Sequence, residues 1–270
     1  MSLVATYLLL TLIPDLVLHD PISFLWACGG LGLVAMLVGG YSYLPAVFLG
    51  ALLGNLLVGG SIPFSLLTAI RHSAGVFIGI WLLKKESRFD SNLCSLSDFL
   101  RILILAWVTG IFTALFTTLA MQIVPPDLVK EFSGHSFNQR WMGHALGVIV
   151  VMPLLLSWQV LPREWASPRK AAEASLIIGL SFIVGQVIFV DWLQDSLGHI
   201  ARGYWMFLFV SLAAVRLGTQ GATLILVIAV IQGLYGAQHG LGFFSNDIAT
   251  TQLLNYFFYT LCLVQQTGSS

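Results

Sequence analysis

Residues 64–85 read FSLLTAIRHSAGVFIGIWLLKK. From Phe64 to Leu83 the only charged side chain is Arg71, and the run closes on Lys84-Lys85. Twenty residues at 1.5 Å each cover the ~30 Å of bilayer hydrocarbon. The rest of the chain supports a membrane reading. Apolar residues make up 57% of its 270 residues and charged ones 9%, against roughly 25% charged in a soluble domain. Mean hydropathy is +0.90. Twelve basic and twelve acidic residues cannot clothe a protein of 29.5 kDa in water. A net charge of zero excludes the basic stripe of a nucleic-acid binder.

Working outward, similar runs predict helices over Leu3–Leu18, Ser23–Gly39, Leu44–Val58, Phe64–Leu83 and Phe99–Val124. Five more follow at Trp141–Leu161, Ala172–Leu193, Tyr204–Leu217, Ala222–Gly236 and Thr250–Val264. The expected fold is an all-α integral membrane bundle of about ten, eight to ten, transmembrane helices. The count turns on Gly40–Tyr43 and Gly218–Gly221, each either a tight helical hairpin or a break in one helix. Pro45 and the flanking glycines favour a real turn. Sustained period-two alternation is absent, so a β-barrel is excluded.

Basic residues orient the bundle. Lys84, Lys85 and Arg88, then Arg163, Arg169 and Lys170, then Arg216, fall on one side if there are ten crossings. The positive-inside rule makes that side the cytoplasm and places both termini there. Met1–Leu18 lacks the basic start and cleavage pattern of a signal peptide, and reads as a retained first helix. Residues 1–264 are expected to form a single transmembrane domain. Residues 265–270 read as a polar stub leading to a cytoplasmic domain or a tag. Cys28, Cys94 and Cys262 have neither metal-ligand nor disulfide spacing.

Polar groups inside the spans are the candidate site, since burying them in hydrocarbon is costly. Most fall in the outer half: Asn55, Arg71, His72, His144, Gln186 and Gln232. Arg71 and His72 lie about 12 Å below the outer end of their helix, counted from Pro63 at 1.5 Å per residue. Their expected partners are Asp15 and Asp191, or the carboxylate or phosphate of an anionic ligand. On the last helix Gln252, Asn255, Tyr256 and Tyr259 follow i, i+3, i+4 and i+7, which predicts one polar-aromatic stripe. The plain alternative is interhelical hydrogen bonds that hold the bundle together, about 0.6 kcal/mol each. Haem would need His72 and His144, and no cofactor or metal is expected. Gly50-x-x-x-Gly54, Gly75-x-x-x-Gly79 and Gly143-x-x-x-Gly147 predict close helix approach. No phosphate loop, nucleophile elbow or catalytic carboxylate pair occurs, and no enzyme is read within the chain.

One set of segments carries a resemblance. Trp26-x-x-Gly29 precedes Gly40-Tyr41-Ser42-Tyr43-Leu44-Pro45, and Trp141-Met142-Gly143-His144-Ala145-Leu146-Gly147 is followed by Pro153-Leu154-Leu155. Val215-Arg216-Leu217-Gly218-Thr219-Gln220-Gly221 then leads to Gly240-Leu241-Gly242-Phe243-Phe244. In order and spacing this resembles the first class of bacterial membrane-associated sensor (MASE) domains, over nearly the whole chain. The family often has an acidic residue where His144 stands. The resemblance implies a multi-pass sensory input domain of the bacterial inner membrane. It would be joined to a cytoplasmic histidine kinase or a cyclic-di-GMP synthase or hydrolase. It is also similar to the membrane half of hexose-phosphate sensor kinases, which work with a transporter-like partner. Besides the lipid bilayer, a small anionic ligand, such a partner and a second copy of the chain are the partners this reading admits. A solute-binding transporter or S-component-like subunit is the alternative function, and a membrane anchor or dimerisation module the second alternative.

Overall fold

The computed structural model describes residues 3–18, 25–85, 89–91, 93, 95–123, 125, 137–160, 162, 165, 167–193 and 203–267, with side chains of 12–18 and 123 left aside. The described residues are helical, without a strand. The helices are α1 Leu3–Leu18, α2 Ala27–Gly39, α3 Leu44–Leu57, α4 Ile62–Lys85, α5 Leu96–Ile123 and α6 Phe137–Ser157. They continue as α7 Pro168–Phe189, α8 Trp205–Gln238, α9 Asp247–Thr251 and α10 Leu254–Thr267. Two compact units result: Met1–Phe89 with Leu100–Met152, and Asp90–Phe99 with Pro153–Ser270. One boundary falls at Pro153 inside α6, where the missing N–H removes a helical hydrogen bond.

Polarity is inverted relative to a soluble protein. Leu66, Ile70, Phe77 and Trp81 form an exposed apolar stripe on α4. The opposite face buries Ser65, Thr68, His72 and Ser73 among alanine, glycine and valine. Apolar strips of this extent would not stay in water, and lipid is the solvent that suits them. Among the described residues five stretches, α4 to α8, are long and apolar enough to cross a membrane, α8 when counted across Gly218. At 13 residues, α2 is only about 20 Å long.

Both glycine breaks reverse the chain. Gly40 has φ 76° and ψ −175°, and Gly218 has φ 71° and ψ −169°, a region open essentially to glycine alone. In the first unit Gly32 and Gly50 both lie against Tyr7. Eighteen residues of continuous helix would separate them by about 27 Å. In the second, the Phe207 ring meets Tyr259 at 5.5 Å, while the Val230 carbonyl accepts the Tyr256 hydroxyl at 2.6 Å. Tyr256 and Tyr259 are one turn apart, whereas an unbroken α8 would put Phe207 and Val230 about 34 Å apart. The arms 205–217 and 219–238 are therefore a hairpin.

Each unit repeats one plan. A helix (α1 or α7) packs on a glycine-hinged hairpin, and a further helix (α4 or α10) packs on the same hairpin. The hinge carries polar residues nearby in both. Lys84 Nζ sits 4.5 Å above the Tyr41 ring beside Gly40, and Arg216 beside Gly218 pairs with Glu173, which also takes Lys170 at 3.2 Å.

The predicted close approaches are present. Tyr7 and Thr11 of α1 rest on Gly50 and Gly54, Gly75 and Gly79 face α5, and Gly147 lies under the Trp26 carbonyl. The predicted stripe on the last helix needs correction. The helix stops at Gln252 and Leu253, with φ of 54° and 69°, and restarts at Leu254. Gln252 therefore stands off α10 rather than on its face.

Candidate functional site

In the first unit a buried polar centre forms where α1, α2, α4 and α6 meet. His72 is 1% exposed. The Trp26 indole donates to its Nδ1 at 3.3 Å. An indole N–H only donates, so Nδ1 accepts and the ring hydrogen resides on Nε2. Nε2 then faces the Tyr7 hydroxyl at 3.1 Å, and that hydroxyl passes its own hydrogen to the Cys28 carbonyl at 3.2 Å. Each hydrogen is used once, and the chain Trp26–His72–Tyr7–Cys28 has a single direction. Thr11 tightens it by donating to the Tyr7 carbonyl at 2.9 Å.

Local sequence explains the assembly. Trp26 precedes α2, and its N–H donates to the Gly143 carbonyl at 3.0 Å. Gly29 and Gly30 lack the Cβ that would press on His144 and on the Gly147–Met152 backbone. This lets α2 lie directly on α6. His144, 4% exposed, then faces His72 edge to face at a centroid distance of 6.4 Å.

Arg71, the next residue on α4, points about 100° away. Its Nη1 donates to the Thr117 hydroxyl of α5 at 3.3 Å. Thr117 in turn closes a ladder with Thr113 and Thr109, each hydroxyl donating to the carbonyl one turn back at 2.6–2.9 Å. The side chain of Asp15, the expected partner, lies outside the described residues, as do His19, His135 and His199. Both nitrogens of His72 are engaged in these hydrogen bonds. Among the described residues no group of three His, Cys, Asp or Glu side chains is placed to hold a metal.

The other sequence candidates lie elsewhere. Asn55 donates to the Ala51 carbonyl of its own helix at 2.7 Å. In the second unit Gln232 donates to the Phe182 carbonyl at 2.9 Å, its amide seated on Gly185. Gln186 lies one position after Gly185 on α7, half-buried. Asp191 accepts from the Gly242 N–H at 2.8 Å. The start of α10 is held by Asp247, which accepts from Thr251, from Asn255 Nδ2 at 2.8 Å and from the Tyr256 N–H at 2.9 Å. Tyr259 donates to the Gly203 carbonyl at 2.6 Å among Phe189, Phe207 and Phe244. The structure thus brings Arg71, His72 and His144 together in one unit and, in the other, places Asn255 and Tyr256 on Asp247, with Tyr259 on the Gly203 carbonyl.

Sequence reasoning missed Tyr7, Thr117 and Asp247. A lone phenol in an apolar helix has no periodic signature. A lone aspartate just before the last predicted helix reads as no more than a loop charge.

The MASE1 family model matches residues 1–267. The chain belongs to the MASE1 family. MASE1 domains are membrane sensory domains, and a multi-pass helical membrane domain is what the apolar helices describe. Comparison with curated proteins gave no match, and neither did comparison with solved structures. Within this MASE1 domain, the Trp26–Gly29 and Gly143–Gly147 segments that carry the resemblance are the two that cross beside His72 and His144.

Proposed function

We propose that this MASE1 domain is the membrane input part of a signalling protein, and that a shift in its helix packing regulates a cytoplasmic histidine kinase or cyclic-di-GMP enzyme on its C-terminal side. The family match over residues 1–267 carries this reading. The Arg71–His72–His144 centre is the proposed sensing site, for a small anionic ligand or a transporter-like membrane partner. A guanidinium suits either through paired hydrogen bonds to a carboxylate or phosphate.

α10 is the proposed lever. One end is tied by Asp247 and Tyr259, and near the other Ser211 donates to the Gln266 side chain at 2.7 Å. A stimulus moves such a helix only by binding one arrangement better than another. In the full-length protein, Asn255→Leu and Tyr259→Leu should each change basal kinase or cyclase output by roughly fivefold, the low end of allosteric coupling. Output is measured at equal membrane expression. Unchanged output in both variants removes α10 from the mechanism, as an anchor or solute-binding function requires.

Ten crossings with both termini in the cytoplasm complete the proposal. In a variant without native cysteines, a cysteine beside Lys85 or Arg169 should react with an impermeant reagent only in inverted vesicles. One beside Asp127 or Asp247 should react only in intact cells or spheroplasts. Labelling beside Lys85 from outside would mean that the four crossings expected before it are miscounted by one.

A further inference from the structure

A groove of about 250 Å³ opens between α4 and α5, lined by Leu82, Leu83, Arg101, Ile104, Leu105 and Val108. It lies at the basic end of α4, in the first unit, away from the His72 centre. The lining runs ~10 Å along α5 from Arg101 to Val108. All of it is apolar except the one guanidinium. Ile104 is 64% exposed, so the groove opens on the face that meets lipid. Two further cations flank this end of α4. Lys84 lies over the Tyr41 ring, and Lys85 Nζ lies 5.5 Å from the Trp81 ring, itself 51% exposed. Exposed tyrosine and tryptophan mark the headgroup level of a bilayer. Lys84 thus faces away from the groove, and an apolar trough with Arg101 in its lining and Lys85 near its headgroup end matches one kind of molecule in both halves.

We infer that the α4–α5 groove binds an anionic phospholipid, with an acyl chain along Leu82, Ile104, Leu105 and Val108 and the headgroup phosphate at Arg101 and Lys85. Charge selects this occupant over a zwitterionic lipid. The apolar trough selects a lipid over a free phosphate. The site is independent of the proposed stimulus and of any output domain, so it stands or falls separately from them.

The test uses the purified chain in detergent, titrated in parallel with phosphatidylglycerol, phosphatidylcholine and inorganic phosphate, with retained molecules counted by native mass spectrometry. Phosphatidylglycerol should be retained preferentially, and inorganic phosphate not at all. Each basic residue near an anionic surface contributes roughly fivefold in affinity, so Lys85→Gln with Arg101→Gln should weaken phosphatidylglycerol roughly twenty-five-fold and erase the preference. Val108→Trp, which fills the trough from the lipid side, should lower retention of phosphatidylglycerol while the melting midpoint stays unchanged. Equal retention of the two lipids by the wild-type chain overturns the inference. So does a preference that survives both the Lys85/Arg101 double variant and Val108→Trp, because the lipid then sits elsewhere.

Discussion

Gly147→Ala should lower stability by about 3 kcal/mol, the upper end for overpacking a tight contact. A Cβ at Gly147 would collide with the carbonyl of Trp26, which is backbone and cannot rotate away. To make room, the start of α2 must lift off α6. That movement would break the Trp26 N–H bond to the Gly143 carbonyl and carry the indole away from His72. In a protein of this size the melting midpoint should fall by roughly 6–12 °C. The control is Gly179→Ala on α7, where the added methyl meets open space. Here helix propensity alone acts, and stability should be unchanged or rise by up to about 1 kcal/mol. Equal midpoints for the two variants would mean that the crossing of α2 on α6 is not as close as described.

Tyr7→Phe should have the second large effect, about 2 kcal/mol. The side chain is fully buried and its ring stays in place, so packing is conserved. Only the hydroxyl goes, leaving His72 Nε2 and the Cys28 carbonyl without the partner each had. Stranding a buried polar group costs about 1–3 kcal/mol, and the group stranded here is His72 Nε2, since the Cys28 carbonyl keeps its place in the α2 ladder. The same reasoning makes the effect depend on His72. In a His72→Leu background the donor at Nε2 is already gone, and Tyr7→Phe should cost about 1–2 kcal/mol less than it does alone. Melting midpoints of the two single variants and the double variant measure this directly. Strictly additive costs would show that the two side chains are neighbours without being coupled.

Much of the helical layout was legible because a bilayer leaves few options. Backbone groups in hydrocarbon must be paired within the chain, so spans are helices of a length set by the membrane thickness. The predicted ends of α1 match the structure, and those of α4 and α5 fall within a few residues. At the predicted Thr250–Val264 helix the sequence misled. Spacing of i, i+3, i+4 and i+7 has meaning only on an unbroken helix. Asp247 draws the Tyr256 N–H and the Asn255 amide to its carboxylate and caps a new helix there, at the cost of a left-handed Gln252 and Leu253. A local charge thereby overrode the periodicity.

The candidate site was half legible for a related reason. Arg71 and His72 stand out in any apolar run because burying them costs energy that must be recovered somewhere. Where it is recovered depends on residues far away in the chain. His72 finds Tyr7 and Trp26, 65 and 46 positions earlier, and Arg71 finds Thr117, 46 positions later.

Sequence alone, then, determined that this chain is an all-helical membrane domain, which residues pay a desolvation cost inside it, and which glycines permit close contact. These follow from composition and from distances measured along one helix. The reversals at Gly40 and Gly218, the direction of the hydrogen bonds through His72 and the capping of α10 by Asp247 were decided only by tertiary structure. Each depends on which helix faces which, and a glycine or a polar side chain accepts several neighbours until packing selects one.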